Sequence, residues 1–271
     1  MDISVYPFIC PVCAKPLVLS GRSYVCPSRH LFDVSRSGYV NLLPVNKKNS
    51  LDPGDNNEMI VSRLAVMDKG YYASLADTIV SLLSDFSPRS ILDAGCGTGY
   101  LTSRLHEAFP SALILGADIS KYAINAASKR YKDIPFTVAT SNYLPVATSS
   151  VDAVVCAFAP VFDKEFTRVL STGGVFVRVI PGPKHLFNLK GKLYETPVEN
   201  ELDPENVEGF EFVKSEISEG IFRSENAEEI LSLVKMTPYF YHAPSEKIDA
   251  LSSAGGFNIN QQFVVRLYRK K

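Results

Sequence analysis

The sequence lacks any apolar stretch long enough to cross a bilayer. Its longest, Ala153 to Phe162, is 10 residues, against the roughly 20 a membrane helix needs. It also lacks an N-terminal basic stretch followed by an apolar one: the chain opens Met1-Asp2. No secretory signal is therefore expected, no membrane partner either, and a cytoplasmic location follows. No internal repeat or low-complexity tract is visible. A charge excess of one sign is missing too, because 28 basic and 29 acidic residues leave a net charge of -1, so nothing draws the whole surface towards nucleic acid. What is present is a 46% hydrophobic content in 271 residues. That suits a globular chain with a real core, either one large domain or one domain with a small appendage.

The near-zero charge hides an asymmetry. Residues 1–50 carry Lys15, Arg22, Arg29, Arg36, Lys47 and Lys48 against Asp2 and Asp33, a balance of +4 that leaves -5 for the rest. A basic arm on an acidic body fits a polyanion met locally, and equally a solvated lysine-rich surface. The five cysteines are an odd number, and three fall within the first 26 residues. In a cytoplasmic chain that clustering favours a metal over disulfides.

Cys10-Pro-Val-Cys13 and Cys26-Pro-Ser-Arg-His30 give the pattern C-x2-C-x12-C-x3-H, which has tetrahedral zinc spacing. Pro11 and Pro27 each follow the first cysteine of a knuckle and restrict the turn there. Three thiolates and one imidazole fill the shell, so the zinc at Cys10, Cys13, Cys26 and His30 is expected to be structural. A module this small has little core of its own, and metal binding would supply much of its folding energy, on the order of 10 kcal/mol.

Residues 1–43 read as a zinc-binding module of short strands and turns. Residues 44–57, polar and turn-rich, read as a linker, and residues 58–271 as the main domain. A helix is expected from Glu58, capped by Asn57, to a left-handed stop at Gly70. A second should bury Leu75, Ile79, Leu82, Leu83 and Phe86. After Pro88, strands at Ser90–Asp93, Leu113–Ala117, Phe136–Ala139, Ala153–Phe158 and Val175–Ile180 alternate with helices at Tyr100–Phe109, Lys121–Tyr131 and near Asp163–Leu170. This alternation predicts an α/β fold, a doubly wound, mostly parallel sheet with helices on both faces. Strands at Glu211–Ile217 and Asn260–Tyr268 and helices near Ala227–Lys235 and Ser245–Ser253 should complete it.

The decapeptide Ile91-Leu92-Asp93-Ala94-Gly95-Cys96-Gly97-Thr98-Gly99-Tyr100 is a strand, a glycine turn and a helix start. Its glycines let the backbone approach a ligand at the carboxyl end of the first strand. A dinucleotide fingerprint would need a small residue where Tyr100 stands. The loop reads D-x-G-x-G-x-G instead. A carboxylate at Asp93 suits a ligand with an ammonium group and repels a pyrophosphate. The pattern resembles motif I of the Rossmann-like class I methyltransferases, whose cofactor is S-adenosylmethionine. Asp118 ends the next strand, where a carboxylate can accept both ribose hydroxyls; the alternative for it is a helix cap before Ser120. Thr140 and Ser141, after the third strand, resemble the adenine-contacting segment, although many such enzymes have an acid where Thr140 stands.

The zinc knuckles before this core are similar to those of the bacterial 23S ribosomal RNA (guanine-N1)-methyltransferases. The similarity continues through Gly38–Pro44, Asp52-Pro53-Gly54-Asp55, Phe158-Ala159-Pro160, Pro181–Leu186, Leu189-Lys190-Gly191 and Met236-Thr237-Pro238. The resemblance implies methyl transfer from S-adenosylmethionine to guanine N1 in a 23S rRNA hairpin loop. It adds Tyr72 and His185 to the cofactor site; a core aromatic and a loop residue are their alternatives. Such enzymes often have cysteine where this chain has Val161, so no role for a thiol there applies. The catalytic residue is unknown.

The target atom lies on the Watson–Crick edge, so the base must be unpaired or flipped. Phe158 or Phe162 could stack on it, or both could belong to the core. Arg22, Arg29, Arg36, Lys47, Lys48, Lys184, Lys190 and Lys192 are the candidate RNA contacts, and a homodimer is one oligomeric state to consider. Two rival readings stay open. One is a methyltransferase of a small metabolite, with an enclosed apolar pocket. The other is an inactive methyltransferase fold acting as a zinc-anchored RNA-binding module, which would bind no cofactor.

Overall fold

The computed structural model describes residues 6–44, 47, 54, 56–253 and 255–271. Most of the expected linker, Lys48 and the residues Asp52, Pro53 and Asp55 lie outside them. The chain begins with a three-stranded antiparallel sheet in the order β1 (Val18–Ser20), β2 (Ser23–Val25), β3 (Leu31–Asp33). The next strand, β4 (Val40–Asn41), already belongs to the main sheet.

That sheet is built from β4 and β5 (Ser90–Ala94), β6 (Leu113–Asp118), β7 (Phe136–Val138), β8 (Val151–Ala157), β9 (Leu170–Pro181), β10 (Phe210–Arg223) and β11 (Asn258–Lys270). Its order is β10-β11-β9-β8-β5-β6-β7-β4. All pairs from β4 to β9 are parallel, and β11 is antiparallel to both β9 and β10. The chain winds outward from β5 through β6 to β7, then returns to the other side of β5 as β8. The strand order reverses between β5 and β8, and a crevice opens above such a point.

Two helices precede β5: α1 (Asn57–Asp68) and α2 (Ala73–Ser84). Three make the crossovers: α3 (Tyr100–Ala108), α4 (Lys121–Arg130) and α5 (Asp163–Val169). The rest are α6 (Phe187–Leu193), α7 (Ala227–Lys235), α8 (Tyr239–His242) and α9 (Ser245–Leu251). The expected alternation is present, with boundaries moved by one or a few residues. The cap of α1 is Asn56 and not Asn57: Asn56 is extended and its side chain accepts the Met59 amide at 3.0 Å, while Asn57 is already helical. Gly70 has φ +75 and follows α1 as expected. Helices α6 and α8 were not expected: α8 spans only four residues, and α6 holds Gly191 in its interior, which weakens a helix pattern.

The sheet has two unlike coverings. On one face, α2, α3, α6 and α7 bury Leu75, Ile79, Leu105, Leu189, Leu233 and neighbours against alternate residues of β5, β8, β9 and β11. On the other, Phe8, Leu17, Tyr24 and Leu42 from the N-terminal segment share a core with Leu92, Leu115, Val154 and Phe176 of the strands. Backbone bonds fasten this contact: the Ile9 amide donates to the Pro145 carbonyl at 2.9 Å and the Ala147 amide to the Pro7 carbonyl at 2.8 Å. Part of the N-terminal module's apolar surface is therefore buried against the sheet itself, while Val12, Val18 and Leu31 stay exposed.

Candidate active site and metal centre

The two knuckles bring Cys10, Cys13, Cys26 and His30 together, their ligand atoms all within 4.8 Å of one another. Cys13 Sγ lies 3.6 Å from Cys26 Sγ, and His30 Nδ1 lies 3.4 Å from Cys10 Sγ and 3.3 Å from Cys26 Sγ. Four ligands at zinc–sulfur and zinc–nitrogen bond lengths on a tetrahedron stand about 3.5–3.8 Å apart, so the donor set fits zinc. Each knuckle is a tight turn. The Ala14 amide donates to the Cys10 carbonyl and the Arg29 amide to the Cys26 carbonyl, both at 2.8 Å. Ala14 (φ +57) and Arg29 (φ +65) hold left-handed conformations there. The Val12 and His30 amides point at the sulfurs of Cys10 and Cys26, each at 3.4 Å, which favours thiolates. The backbone N–H of Lys15 is the main cause that brings the Cys13 thiol down to about 6.

The second site is a cleft of about 240 Å³ at the carboxyl ends of β5, β6 and β8. Its floor is the glycine loop. Gly95 (φ +86), Gly97 (φ +53) and Gly99 (φ +80) all hold left-handed conformations, which cost little only for glycine. At Gly95 a Cβ would stand 2.5 Å from that of Ala159, whereas at Gly97 it would meet nothing within 4 Å. Gly95 thus seats the loop on the end of β8, and Gly97 leaves the cleft open.

Asp118 braces this loop. Its Oδ2 accepts the Gly97 amide at 2.9 Å and its Oδ1 the Ser120 amide at 2.7 Å. The cap of α4 is Ser120, whose hydroxyl accepts the Ala123 amide, so Asp118 is not the helix cap. Asp93 also lines the cleft but is 1% exposed. It accepts the Thr102 hydroxyl at 2.6 Å. Burial drives its carboxyl up to about 7, against the opposing pull of that bond and with a further push from Asp118. A buried acid poised there is matched to a cationic group arriving in the cleft. With the open glycine cradle and Asp118, these residues fit a nucleoside that carries an ammonium.

Thr98 and Tyr72 line the same cleft. Thr140, Ser141 and His185 are not among the described residues that do. Thr140 continues β7, one strand beyond Asp118, and is bridged to Tyr143. His185 is buried behind the wall: its Nδ1 accepts the Gln262 amide at 3.3 Å and its Nε2 faces the Tyr71 hydroxyl at 3.4 Å. Burial holds its pKa down to about 4. The imidazole is neutral and supports the wall through Tyr71, whose ring lies 5.0 Å from that of Tyr72.

The structure adds Arg63, Met67 and Gly54, which sequence reasoning did not place at the site, and brings one of the two expected stacking candidates, Phe158, to the cleft. Arg63 and Met67, one turn apart on α1, face the cleft. Gly54 does so too, with a Cβ there only 2.9 Å from Ser120 Cβ. Phe158, 39% exposed, holds φ +59 and stacks on Tyr72 at 5.4 Å and 26°. Phe162 does not line the cleft.

Among the basic residues, Arg22, Arg29, Arg36, Lys47, Lys184 and Lys192 are exposed. Lys190 is not: it is 7% exposed, and its ammonium donates to the Val198 carbonyl at 2.8 Å and to Asn200 Oδ1 at 2.7 Å. Its assignment as an RNA contact is corrected, because the charge is consumed in tying the 198–200 segment to α6. His106 and His242 belong to neither the cleft lining nor the metal cluster.

The switch-point cleft, the glycine loop and the strand order with its antiparallel β11 define a class I, Rossmann-like methyltransferase. Comparison with known proteins agrees. The family profile described as "Methyltransferase domain" matches residues 91–174, and the one described as "RlmA, N-terminal", a zinc ribbon, matches residues 8–51. A Bacillus subtilis protein provisionally named a 23S rRNA (guanine-N(1)-)-methyltransferase is 32% identical over 260 residues, 90% of each chain. One from Micromonospora griseorubida, provisionally given the same name, is 29% identical and covers 96% of this chain and 95% of its own. The 23S rRNA (guanine(748)-N(1))-methyltransferase of Streptomyces fradiae is 34% identical over 185 residues, 66% of this chain and 65% of its own. The chain belongs to this family of 23S rRNA (guanine-N1)-methyltransferases. It is an S-adenosylmethionine-dependent enzyme with a zinc ribbon held by Cys10, Cys13, Cys26 and His30.

Proposed function

We propose that this chain methylates N1 of one guanine in a hairpin loop of 23S rRNA, acting in the cytoplasm. The observation that carries the reading is Phe158. A non-glycine residue in the left-handed region costs roughly 1–2 kcal/mol, and such strain persists where it serves a site. Here it holds an aromatic ring half-exposed at the cleft mouth, backed by Tyr72. A flat, supported aromatic face suits an extruded base. The relatives' names supply the guanine and its N1 atom, and no described helix is long and apolar enough to cross a membrane.

S-adenosylmethionine, when bound, supplies an electrophilic methyl group, and the protein's work is alignment and exclusion of water. Asp118 and the glycine loop would hold the nucleoside, Asp93 the ammonium, and Thr98 and Tyr72 would line the same cleft. Thr140 and Ser141 would reach the adenine from the end of β7, and His185 would act through Tyr71 and Tyr72. Asp93 and Asp118 are engaged with Thr102 and with backbone amides, which suits positioning more than removal of the N1 proton.

Arg22, Arg29, Arg36, Lys47 and Lys184, with Lys48 beyond the described residues, would grip the RNA backbone, so binding should weaken steeply with salt. The reading keeps residues 1–43 as the zinc module, 44–57 as a linker and 58–271 as the catalytic domain. A homodimer would use the outer side of β10, the edge strand among the described residues, where Ile217 and Ile221 are exposed and a strand edge invites association. Reverse-transcription mapping of 23S rRNA tests the whole reading. Cells lacking the protein should lose one N1-methylguanine stop and regain it with the intact gene; an unchanged stop pattern would refute the proposal.

A further inference from the structure

The seam between the zinc ribbon and the main sheet holds a second cavity, of about 160 Å³. It lies at the amino end of β7, so it opens at the other end of the parallel strands from the cofactor cleft. Tyr6, Phe8 and Tyr24 give it an aromatic wall. The Phe8 ring stands 5.8 Å from Tyr6 and meets Tyr24 edge-on at 5.7 Å. Tyr24 is 7% exposed, yet its hydroxyl has no hydrogen-bond partner among the described residues. Burial raises the pKa of that hydroxyl, with a further push from Tyr6, so it stays neutral and can donate or accept. A buried hydroxyl left unpaired is costly, and one in the wall of a cavity suits a polar ligand atom.

The rim is charged. Lys132 and Asp133, both exposed, come from the turn between α4 and β7; the Lys132 ammonium also reaches the Ser37 carbonyl at 3.5 Å. Arg22, whose carbonyl accepts the Val34 amide, and Arg36, between Val34 and Gly38, flank the same opening. Against these three bases stand Asp133 and Asp33, the latter engaged by the Ser23 hydroxyl. Flat aromatic walls, a buried phenol and a rim of net positive charge complement one nucleotide of a single strand: a ring with apolar faces, a polar edge and an anionic backbone. The cavity is two-thirds the size of the 240 Å³ cofactor cleft, which suits a base alone. We infer that it receives an unpaired base of the substrate RNA other than the methylated guanine, with Tyr6 stacking on it and the Tyr24 hydroxyl at its polar edge. The inference rests on the rRNA reading above and adds a second recognition point to it.

The test is an abasic scan of a synthetic hairpin, the one that carries the mapped reverse-transcription stop, with affinity for the full chain read by fluorescence anisotropy. Wild type should lose about fivefold or more in affinity when the base is removed at one position besides the target guanine. Tyr6→Ala should weaken the intact hairpin by a similar factor and be indifferent to the base at that position. Its salt slope should match wild type, because no phosphate contact is lost. Its zinc content and S-adenosylmethionine affinity should be unchanged. Thermal melts establish that it folds, and Tyr6→Leu replaces an alanine variant that does not. If the hairpin is bound and methylated but the variant weakens every abasic hairpin alike, or none, the cavity is not a base site. Wild type that bound no hairpin would end the rRNA reading and this inference together.

Discussion

The Gly97 amide donates to the Asp118 carboxylate across 2.9 Å, so the end of β6 holds the glycine loop that follows β5. One side chain thereby shapes the cleft floor before any ligand arrives. Its other oxygen fixes the turn into α4 through Ser120. Asp118→Ala removes both acceptors. Hydrogen bonds to a charged group contribute about 1.5–3 kcal/mol each, so the variant should melt lower and bind S-adenosylmethionine at least tenfold more weakly by calorimetry. Unaltered affinity would show that the loop needs no brace.

Gly95 and Gly97 should respond differently to alanine. Both take a strain penalty from positive φ, but only at Gly95 does the new methyl collide, at 2.5 Å from Ala159. Overpacking of this kind costs about 1–3 kcal/mol. Gly95→Ala should therefore lower both Tm and cofactor affinity. Gly97→Ala should fold with a smaller Tm loss and lose affinity, its methyl entering the cleft. Equal Tm losses would contradict the geometry.

Asp93 should make cofactor binding depend on pH. In the ligand-free protein its carboxyl is pushed up to about 7, chiefly by burial, and a bound ammonium favours the ionised form. Affinity should be full above pH 7 and fall as pH drops below it, by up to about tenfold per unit. Folding alone follows the opposite sign. A raised carboxyl pKa stabilises the ligand-free fold at low pH, and that contribution is lost as pH rises through about 7. Cofactor-induced gain in Tm should accordingly increase with pH. Asp93→Asn should flatten both trends.

Metal analysis should find one zinc per chain, and its removal should reach beyond the knuckles. Phe8, Leu17 and Tyr24 are buried against the sheet strands, so loosening the ribbon exposes that face. Cys26→Ser, or chelation, should lower the cooperative melting temperature of the whole chain. A protein that melts at the same temperature without zinc would show that the module's own contacts suffice.

What was legible in the sequence was local. The zinc ligands sit in two short turns and the glycine loop in one decapeptide, and residue spacing carries both patterns. Strand and helix alternation was visible because each crossover helix has a clear apolar stripe. The missing parts depend on distant segments meeting. Nothing near Ile9 announces Pro145, to which its amide donates, nor does Arg63 announce a cleft whose glycine loop comes about thirty positions later in sequence. Lys190 reads as a surface base until Val198 and Asn200 close over it. The left-handed turn at Phe158 breaks the expectation for an aromatic residue, and only the fold reveals it. Asn56 took the cap over its neighbour because two adjacent asparagines offer the same chemistry, and one residue of register decided between them.

The most direct measurement uses purified protein, labelled S-adenosylmethionine and 23S rRNA that lacks the modification. After incubation the RNA is digested to nucleosides, which are separated and identified by mass. The account predicts one equivalent of label per 23S rRNA, in N1-methylguanosine, with none in a Phe158→Ala reaction run at matched cofactor saturation. Label in any other nucleoside, or in none, would contradict it.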